Sequence, residues 1–369
     1  MKDSFLEGII PLSIDVNLQE KYITFLGHVR IGRLLEDMDI FAVHIGYKYI
    51  HTPTVPANIP SPYMLVTAFC AQIDFTRNQR KYNEDIKLSG FVSWVGRSSM
   101  EIVVWLEQHH QGSWKKITRA LFLLAARNAI GKQAAAVNPL VPLNDYEKKI
   151  FQEAEVRKTE RSKYTVERTS DVVPTNEEQL LIHDLYLTVK DIDLGKMDEK
   201  IVAHGVIPME KCKLSNVIFC QPEDRNYYNT VFGGFIMRHA TELAWVLGYK
   251  FCRHRPFIAH ISDIGFHSPV AVNALVHMHA QIVFTEESFM QIIVSVISFD
   301  PVEGTETKSN TFHLTLKSPE PVKRICPKTY HEAMLLLNGR RHFYSVLAKN
   351  SAEKNDIMDE YMLQLSKTR

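Results

Sequence analysis

Four residues have the types and spacing needed for chemistry on an activated acyl group: Asp39, Asn226, Gly233 and Gly234. Asp39 stands seven positions after Gly32 in VRIGRLLEDMD, and Asn226 stands eight positions before Gly234 in NYYNTVFGG. A carboxylate can deprotonate water or attack an acyl carbon, an amide side chain can orient either partner, and N–H groups at a helix start can stabilise an oxyanion. Each residue alone is ordinary, as a solvated acid or a turn residue. Brought together in one place, residues of these types could form a hydrolytic site.

The predicted site must be composite, because Asp39 and the helix-start donors cannot belong to one helix. Seven helical residues span about 10.5 Å, so Asp39 does not reach the amides at the start of its own helix. Two halves packed about a pseudo-twofold axis with antiparallel helices would solve this problem. Asp39 from one half would then face Asn226, Gly233 and Gly234 from the other.

A reciprocal site should exist at the other end of the same axis. The same counts place Gly32 at its helix start, Thr24 where the asparagine should be, and Thr241, followed by Glu242, where the acid should be. This second site lacks both the asparagine and the acid at its expected position. We expect it to be degenerate.

Histidines offer two rival chemistries. His239 and Glu242 lie at i and i+3, so an acid–base pair that moves water across a carbon–carbon double bond is an alternative. His277 and His279 share a strand face, but no carboxylate or cysteine follows at ligand spacing, so no metal site is predicted. The asparagine and glycine pair favour hydrolysis over the His239 chemistry.

An internal repeat supplies the elements that position these residues. Gly32 and Gly234 lie 202 residues apart, TAFCAQIDF (67–75) matches IAHISDIGF (258–266) at an offset of 191, and VSWVGRSSMEI (92–102) matches IVFTEESFMQI (282–292) at 190. A near-constant offset indicates duplication of a whole domain. Each copy reads as one long amphipathic helix followed by long alternating strands, which predicts an α+β fold in which a curved antiparallel sheet wraps a helix. This is the hotdog arrangement, present twice.

The repeat also divides the chain. We predict an N-terminal hotdog domain at 1–142, a charged linker at 143–195, a C-terminal hotdog domain at 196–320 and a helical tail at 321–369. In the tail, KTYHEAMLLLNGRR predicts a short helix that ends at Gly339, followed by a frayed polar end.

Composition excludes several classes of protein. The chain has 369 residues, 45% hydrophobic and 23% charged, with a formal net charge of +1. This balance is typical of a globular protein and provides no general field for nucleic acid. No run of 18 apolar residues is present, so no stable membrane insertion is expected. Five scattered cysteines favour a reducing compartment, and no cofactor motif is found.

The segments PEDRNYYNTVFGGFIMRHATEL and VRIGRLLEDMD resemble the acyl-coenzyme A thioesterases with two fused hotdog domains. In that family an acid stands seven positions after the helix-start glycine and a loop asparagine precedes the glycine pair, so the resemblance implies that Asp39 and Asn226 are the catalytic acid and the loop asparagine. The RPF segment (255–257) and the tail PKTYHEAMLLLNGRRHF (327–343) are similar to a mitochondrial subgroup with a long linker and tail. The resemblance implies hydrolysis of acyl-CoA to free acid and coenzyme A without a cofactor, and a trimer of double hotdogs. It implies a mitochondrial matrix setting, with the cytoplasm as the alternative because the chain shows no transit peptide.

Coenzyme A carries phosphates, so local cations should meet it. The turn of Gly96, Arg97, Ser98 and Ser99 resembles the family's Gly-basic-Thr-Ser hairpin beside the pantetheine arm, which makes the last three residues candidate CoA contacts. Weaker candidates follow the preceding strand: Arg77, Arg80 and Lys81. Two other functions stay open for such a fold, an enoyl-CoA hydratase and a non-catalytic acyl-CoA sensor.

Overall fold

Two long helices and two antiparallel sheets dominate the structure, a computed structural model that describes residues 1–50, 61–71, 73–75, 81–129, 133–164, 173–190, 206–226, 230–266, 268–350 and 357–367. The first repeat contains β1 (Leu6–Ile10), α1 (Val16–Tyr22), α2 (Ile31–Tyr49), β2 (Tyr63–Cys70), β3 (Ile73–Asp74), β4 (Ile86–Val95), β5 (Ser99–His110) and β6 (Ser113–Asn128). The second contains β8 (Lys213–Phe219), α5 (Gly233–Cys252), β9 (Phe257–Ile261), β10 (Ile264–Gly265), β11 (Leu275–Glu286), β12 (Phe289–Asp300) and β13 (Thr305–Lys317). Outside the repeats lie α3 (Asp145–Tyr164), α4 (Asn176–Lys190), β7 (Val206–Pro208), β14 (Arg324–Cys326), α6 (Tyr330–Asn350) and α7 (Ile357–Lys367).

The two central helices are held by an apolar stripe at helical spacing. On α2 the stripe is fully buried and comprises Leu34, Leu35, Met38, Ala42 and Ile45. Burying a leucine-sized side chain contributes about 1.5–3 kcal/mol, so the stripe fixes which face of the helix meets the sheet. The matching stripe on α5 comprises Ile236, Met237, Ala240, Ala244 and Leu247.

Each sheet is a curved antiparallel ribbon wrapped on its helix. The first runs β1-β4-β5-β6-β2 and the second runs β9-β13-β12-β11-β8. The predicted hairpin between β4 and β5 is confirmed, with the Gly96 amide donating to the Ser99 carbonyl at 2.8 Å. The α+β prediction of one helix against one antiparallel sheet per repeat is likewise confirmed.

The repeats exchange their shortest strands. β3 of the first repeat pairs with β9 of the second, through Ile73 opposite Ile261, and β10 of the second pairs with β2 of the first, through Ile264 opposite Cys70. Each sheet therefore gains a sixth strand from the other repeat. Both exchanged strands have only two residues, too short for alternation to predict them.

Segments outside the repeats cover the outer faces of the sheets. On the first sheet Phe91 and Trp105 are buried under α3 and α7, and the Trp105 indole donates to Asp359 at 2.7 Å. The prediction of a frayed end is therefore wrong, because the apolar face of α7 packs on this sheet. The predicted helix stop at Gly339 is also wrong. α6 continues through it, since a Cβ there would lie 2.6 Å from Val283, and glycine lets the helix approach β11.

Candidate functional site

The site is built where the starts of α2 and α5 cross. A Cβ added to Gly234 would lie 2.9 Å from the Asp39 Cβ and 2.9 Å from the Glu36 Cα, and one added to Gly32 would lie 3.0 Å from the Arg238 carbonyl oxygen. Both glycines are therefore needed for close packing of one helix start on the other helix. The crossing is pseudo-symmetric, since each helix presents its glycine to the second turn of its partner.

Asp39 is brought together with Gly234, as the composite site requires. Its side chain has no exposure to solvent, and its Oδ2 accepts the Gly234 amide at 2.7 Å. The helix dipole and the unpaired amides at the start of α5 favour a carboxylate at this point. The sequence predicts that the amides at this helix start stabilise an oxyanion; in the structure the Gly234 amide instead bonds to the acid.

Thr67 is a member of the site that the sequence argument missed. Its hydroxyl, on β2, donates to the Asp39 Oδ1 at 2.6 Å. Each carboxylate oxygen of Asp39 thus accepts one bond, from a strand of its own repeat and from the helix of the other. The matching residue 191 positions later is Ile258. A hydroxyl in one copy and an apolar side chain in the other was the available sequence signal.

Burial of Asp39 disfavours the ionised form of its carboxyl group. Desolvation raises the pKa of Asp39, the bonds from Thr67 and Gly234 lower it, and the nearby Glu36 carboxylate raises it again, so the balance is a raised pKa. A carboxyl with a raised pKa is a better base once it is ionised, and the two hydrogen bonds keep it aimed in one direction.

Gly233, at the start of α5, packs beside Phe266, which follows the exchanged strand β10. A Cβ added to Gly233 would approach the Phe266 ring to 3.1 Å and the Thr67 Cβ to 3.5 Å. Phe266 follows β10, and its amide donates to the Ala68 carbonyl at 3.0 Å. The glycine therefore admits an aromatic wall beside the acid, and both repeats contribute to that wall.

Asn226 lies in the loop that leads to α5. Its Nδ2 donates to the Thr230 hydroxyl at 2.7 Å, its Oδ1 accepts the Thr230 amide at 3.2 Å, and its own amide donates to the Thr230 carbonyl at 2.7 Å. These bonds close the loop just before the helix start. The predicted role of Asn226 in orienting water or a carbonyl stays a prediction.

The reciprocal position has a different composition. Thr241 is buried, and its hydroxyl makes no hydrogen bond with any residue that the structure describes. Glu242 is held by Arg30 at 2.6 Å and lies 3.7 Å from the Arg238 Nε. Thr24 closes its loop through His28, whose carbonyl accepts the Thr24 amide at 2.7 Å. Glu242 at this end belongs to an ion-pair network. Within the part of the chain that the structure describes, no buried acid lies against the start of α2 as Asp39 does against the start of α5.

The candidate CoA contacts lie on the β4–β5 turn. Arg97 is exposed, and its carbonyl accepts the Val137 amide at 3.0 Å, while the Ser98 carbonyl accepts the Ala126 amide at 2.8 Å. These bonds fix the turn backbone and leave the Arg97 side chain at the surface. Lys81 lies 3.5 Å from Glu84, and the other two candidates, Arg77 and Arg80, lie outside the described residues.

The histidines have structural surroundings. The His239 ring packs on Phe235 at 4.4 Å, and burial lowers the pKa of His239. His279 bonds the Ser215 hydroxyl at 2.8 Å, and the His277 ring contacts Phe299. Among the described residues there is no cluster of three side chains suited to a metal ion. Nor does that part of the chain contain a helix with the length and apolar character to cross a membrane.

The chain is similar to known thioesterases along most of its length. Residues 228–305 match the family described as Thioesterase superfamily. The chain is 37% identical over 358 residues to acyl-coenzyme A thioesterase 9, mitochondrial, of Mus musculus, covering 96% of this chain and 80% of that protein. The protein of the same name in Homo sapiens is 36% identical, with 97% and 81% covered.

More distant relatives show the reach of the likeness. Acyl-coenzyme A thioesterase 2, chloroplastic, of Humulus lupulus is 30% identical, with 88% of this chain and 77% of that protein covered. The crystal structure of a putative oleoyl thioesterase from Lactobacillus plantarum superposes with a TM-score of 0.50 at 11% identity, covering 86% of this chain and 97% of that one. This likeness shows the fold alone, and it spans both repeats.

Proposed function

Because the chain belongs to the family of acyl-coenzyme A thioesterases with tandem hotdog domains, we propose that it hydrolyses acyl-CoA through Asp39, held against the start of α5. The bond between the Asp39 carboxylate and the Gly234 amide is the single observation that carries the proposal. It joins an acid from one repeat to a helix start from the other, which is what a composite hydrolytic site needs.

The overall reaction converts acyl-CoA and water into a carboxylic acid and the coenzyme A thiol. Asp39 accepts a proton from water as the water oxygen bonds to the acyl carbon, and the tetrahedral intermediate then expels the thiolate, which takes up a proton. The negative oxygen of the intermediate requires a donor other than Gly234, whose N–H serves Asp39. The amide of Gly233 and the side chain of Asn226 are the proposed donors.

A second route uses the same carboxylate as the nucleophile. Asp39 would bond to the acyl carbon, release the thiolate and form a mixed anhydride that water then hydrolyses. A single turnover in ¹⁸O-labelled water distinguishes the routes. Label in the Asp39 carboxylate identifies the nucleophile route, because water has then attacked the aspartyl carbonyl of the anhydride. Label in the free acid alone arises from the base route or from attack of water on the acyl carbonyl of the anhydride, so it does not by itself identify the base.

Hydration of a double bond is a less suitable function for this geometry. The His239 ring packs on Phe235, and Glu242 is engaged by Arg30, so the two side chains do not form an isolated acid–base pair. A non-catalytic sensor would not need a fully buried acid that accepts two hydrogen bonds. Hydrolysis uses the residues that the crossing brings together.

The test measures thiol release from acetyl-, propionyl- and palmitoyl-CoA by the parent chain. We expect release of one thiol per acid formed, and the relative rates define the acyl chain-length preference. An enoyl-CoA substrate whose absorbance falls without thiol release would support the hydratase instead. Binding of acyl-CoA with no turnover of any of the three thioesters would support the sensor.

The setting and assembly are also proposals. The relatives in Mus musculus and Homo sapiens are named mitochondrial, which supports a mitochondrial site of action here. Val217 and Phe219 on the edge strand β8 are each 54% exposed, which supports a contact with further copies of the chain. The number of copies, three, is what the resemblance implies. Cell fractionation tests the first proposal, and light scattering should give three times the 42.4 kDa chain mass for the second.

A further inference from the structure

We infer that the ion pair between Glu36 of α2 and Arg238 of α5 positions Asp39, by fixing the distance between the two helices and the charge beside the acid. Glu36 Oε2 and Arg238 Nη1 lie 3.1 Å apart. The inference rests on the proposed function, because it assigns the pair a role in the reaction of Asp39. Glu36 and Arg238 are positioning residues in this scheme and have no direct role in bond making.

The pair spans the pseudo-twofold axis. Glu36 stands four positions after Gly32, and Arg238 stands four positions after Gly234, so the two residues are equivalents in the repeat. Equivalent positions near a twofold axis face each other, and two identical halves would place like charges there. The fused chain has opposite charges instead. The duplication has thus allowed an attractive contact that a symmetric dimer of identical halves cannot make.

The pair lies directly against the site. A Cβ on Gly234 would approach the Glu36 carbonyl oxygen to 3.0 Å, and the Gly234 amide donates to Asp39 at 2.7 Å. The start of α5 therefore rests on the turn of α2 that contains both acids. A small change in the separation of the helices would alter the bond that holds Asp39, and a misplacement of a catalytic group by about 1 Å can lower the rate about 10²-fold.

The pair also sets the local field. The Glu36 carboxylate raises the pKa of Asp39. Arg238 and Arg33 lie 3.1 and 2.8 Å from the Glu36 carboxylate, and their positive charges offset its negative charge. The Glu36 side chain is only 12% exposed, so solvent screens these charges weakly. The charged and titratable groups around the crossing include Tyr22 on α1; Arg30 before α2; Arg33, Glu36 and Asp37 on α2; Asp224 before α5; Arg238, His239 and Glu242 on α5; Cys70 on β2; and Asp263 before β10.

The decisive experiment follows thiol release against pH for Glu36→Gln and Arg238→Gln. Loss of the carboxylate should move the acid limb of kcat/KM to lower pH, and loss of the guanidinium should move it to higher pH, each by about half a pH unit or more. Opposite shifts are specific to a charge effect, since a merely structural pair would lower both rates without moving the limb in opposite directions. Arg238→Lys retains the charge and should restore the limb of the parent.

Folding is checked by circular dichroism and melting temperature for each variant. If Arg238→Gln does not fold, the other two variants still test the inference. The acid limb of kcat/KM should then lie at lower pH in Glu36→Gln and at the parent's pH in Arg238→Lys. An unchanged limb in Glu36→Gln, or shifts of the same sign in both glutamine variants, would overturn the inference. A parent chain that releases no thiol would instead overturn the proposed function, so the two failures are distinguishable.

Discussion

The two ends of the helix crossing share one geometry and differ in chemistry. At one end Gly234 meets Asp39, and Thr67 completes the acid's hydrogen bonds. At the other end the equivalents are Gly32, Thr241 and Ile258, and the buried hydroxyl of Thr241 makes no hydrogen bond within the described part of the chain. Duplication kept the close packing at both ends but kept the acid at one.

The comparison shows which features belong to the fold and which to the reaction. Gly32 and Gly234 are both required for the close approach of the helices. A glycine at the start of each helix therefore serves packing at both ends of the crossing. The acid and its hydroxyl partner occur together at one end only, and Asn226 precedes the helix start of that same end. We therefore expect one working site per chain, and the following substitutions test that asymmetry.

Asp39→Asn should have the largest effect. Removing the charge disables both the base and the nucleophile route, and thiol release should fall on the order of 10²-fold or more. Asp37→Asn is the matched control, a partly buried acid on the same helix whose carboxylate accepts the Tyr22 hydroxyl at 2.7 Å. Equal losses from the two variants would mean that the helix, rather than Asp39, is sensitive to charge removal.

The same substitution should stabilise the fold. Because the pKa of Asp39 is raised in the folded state, the folded protein holds the proton to higher pH than the unfolded chain, so this group's contribution to stability falls as pH rises between the two pKa values. At pH 7 Asp39→Asn should gain about 1 kcal/mol, and the gain should shrink on acidification. Urea unfolding at pH 7 and pH 4 measures it.

Thr241→Asp tests whether the acid alone would restore the other end. We expect no added thiol release in an Asp39→Asn background, because Ile258 and Thr24 supply neither the hydroxyl nor the asparagine. A buried carboxyl without the hydroxyl partner should lower the unfolding free energy by about 2 kcal/mol. Recovered turnover would show that only the acid separates the two ends.

Thr67→Val should weaken the site without removing it. A hydrogen bond to a charged group is worth about 1.5–3 kcal/mol, so a loss of about tenfold in kcat is expected. This bond lowers the pKa of Asp39, and its removal should move the acid limb to higher pH. Ile258→Val, at the equivalent position, is the control and should leave the pH limb unchanged.

His239→Ala should have the smallest effect. The proposed reaction passes no proton through this ring, so the variant should keep at least about a fifth of the parent rate. Burial lowers the pKa of His239, so the neutral ring prevails at pH 7 and protonation does not shape the profile there. An inactive but folded variant would favour the rival His239 chemistry.

The sequence was enough to predict the duplication, the α+β class and the meeting of Asp39 with Gly234. Each prediction rests on spacing that the chain repeats. Thr67 was missed because its bond depends on the register between a strand and a helix, which a repeat alignment does not contain. The tail was misread because its polar composition obscures Tyr361, which packs edge-on against Phe91. A glycine near a helix end predicts a stop, but the small size of Gly339 serves close packing of the helix on β11.

The exchange of β3 and β10 has a consequence for how the protein folds. Neither repeat can complete its sheet alone, since the last edge of each is closed by a strand from a segment about 190 residues away. Such distant pairing is entropically costly and comes late on a folding pathway. We expect the two halves to melt in one calorimetric transition. The crossing of α2 and α5, which needs one helix from each repeat, should assemble only when both halves are present.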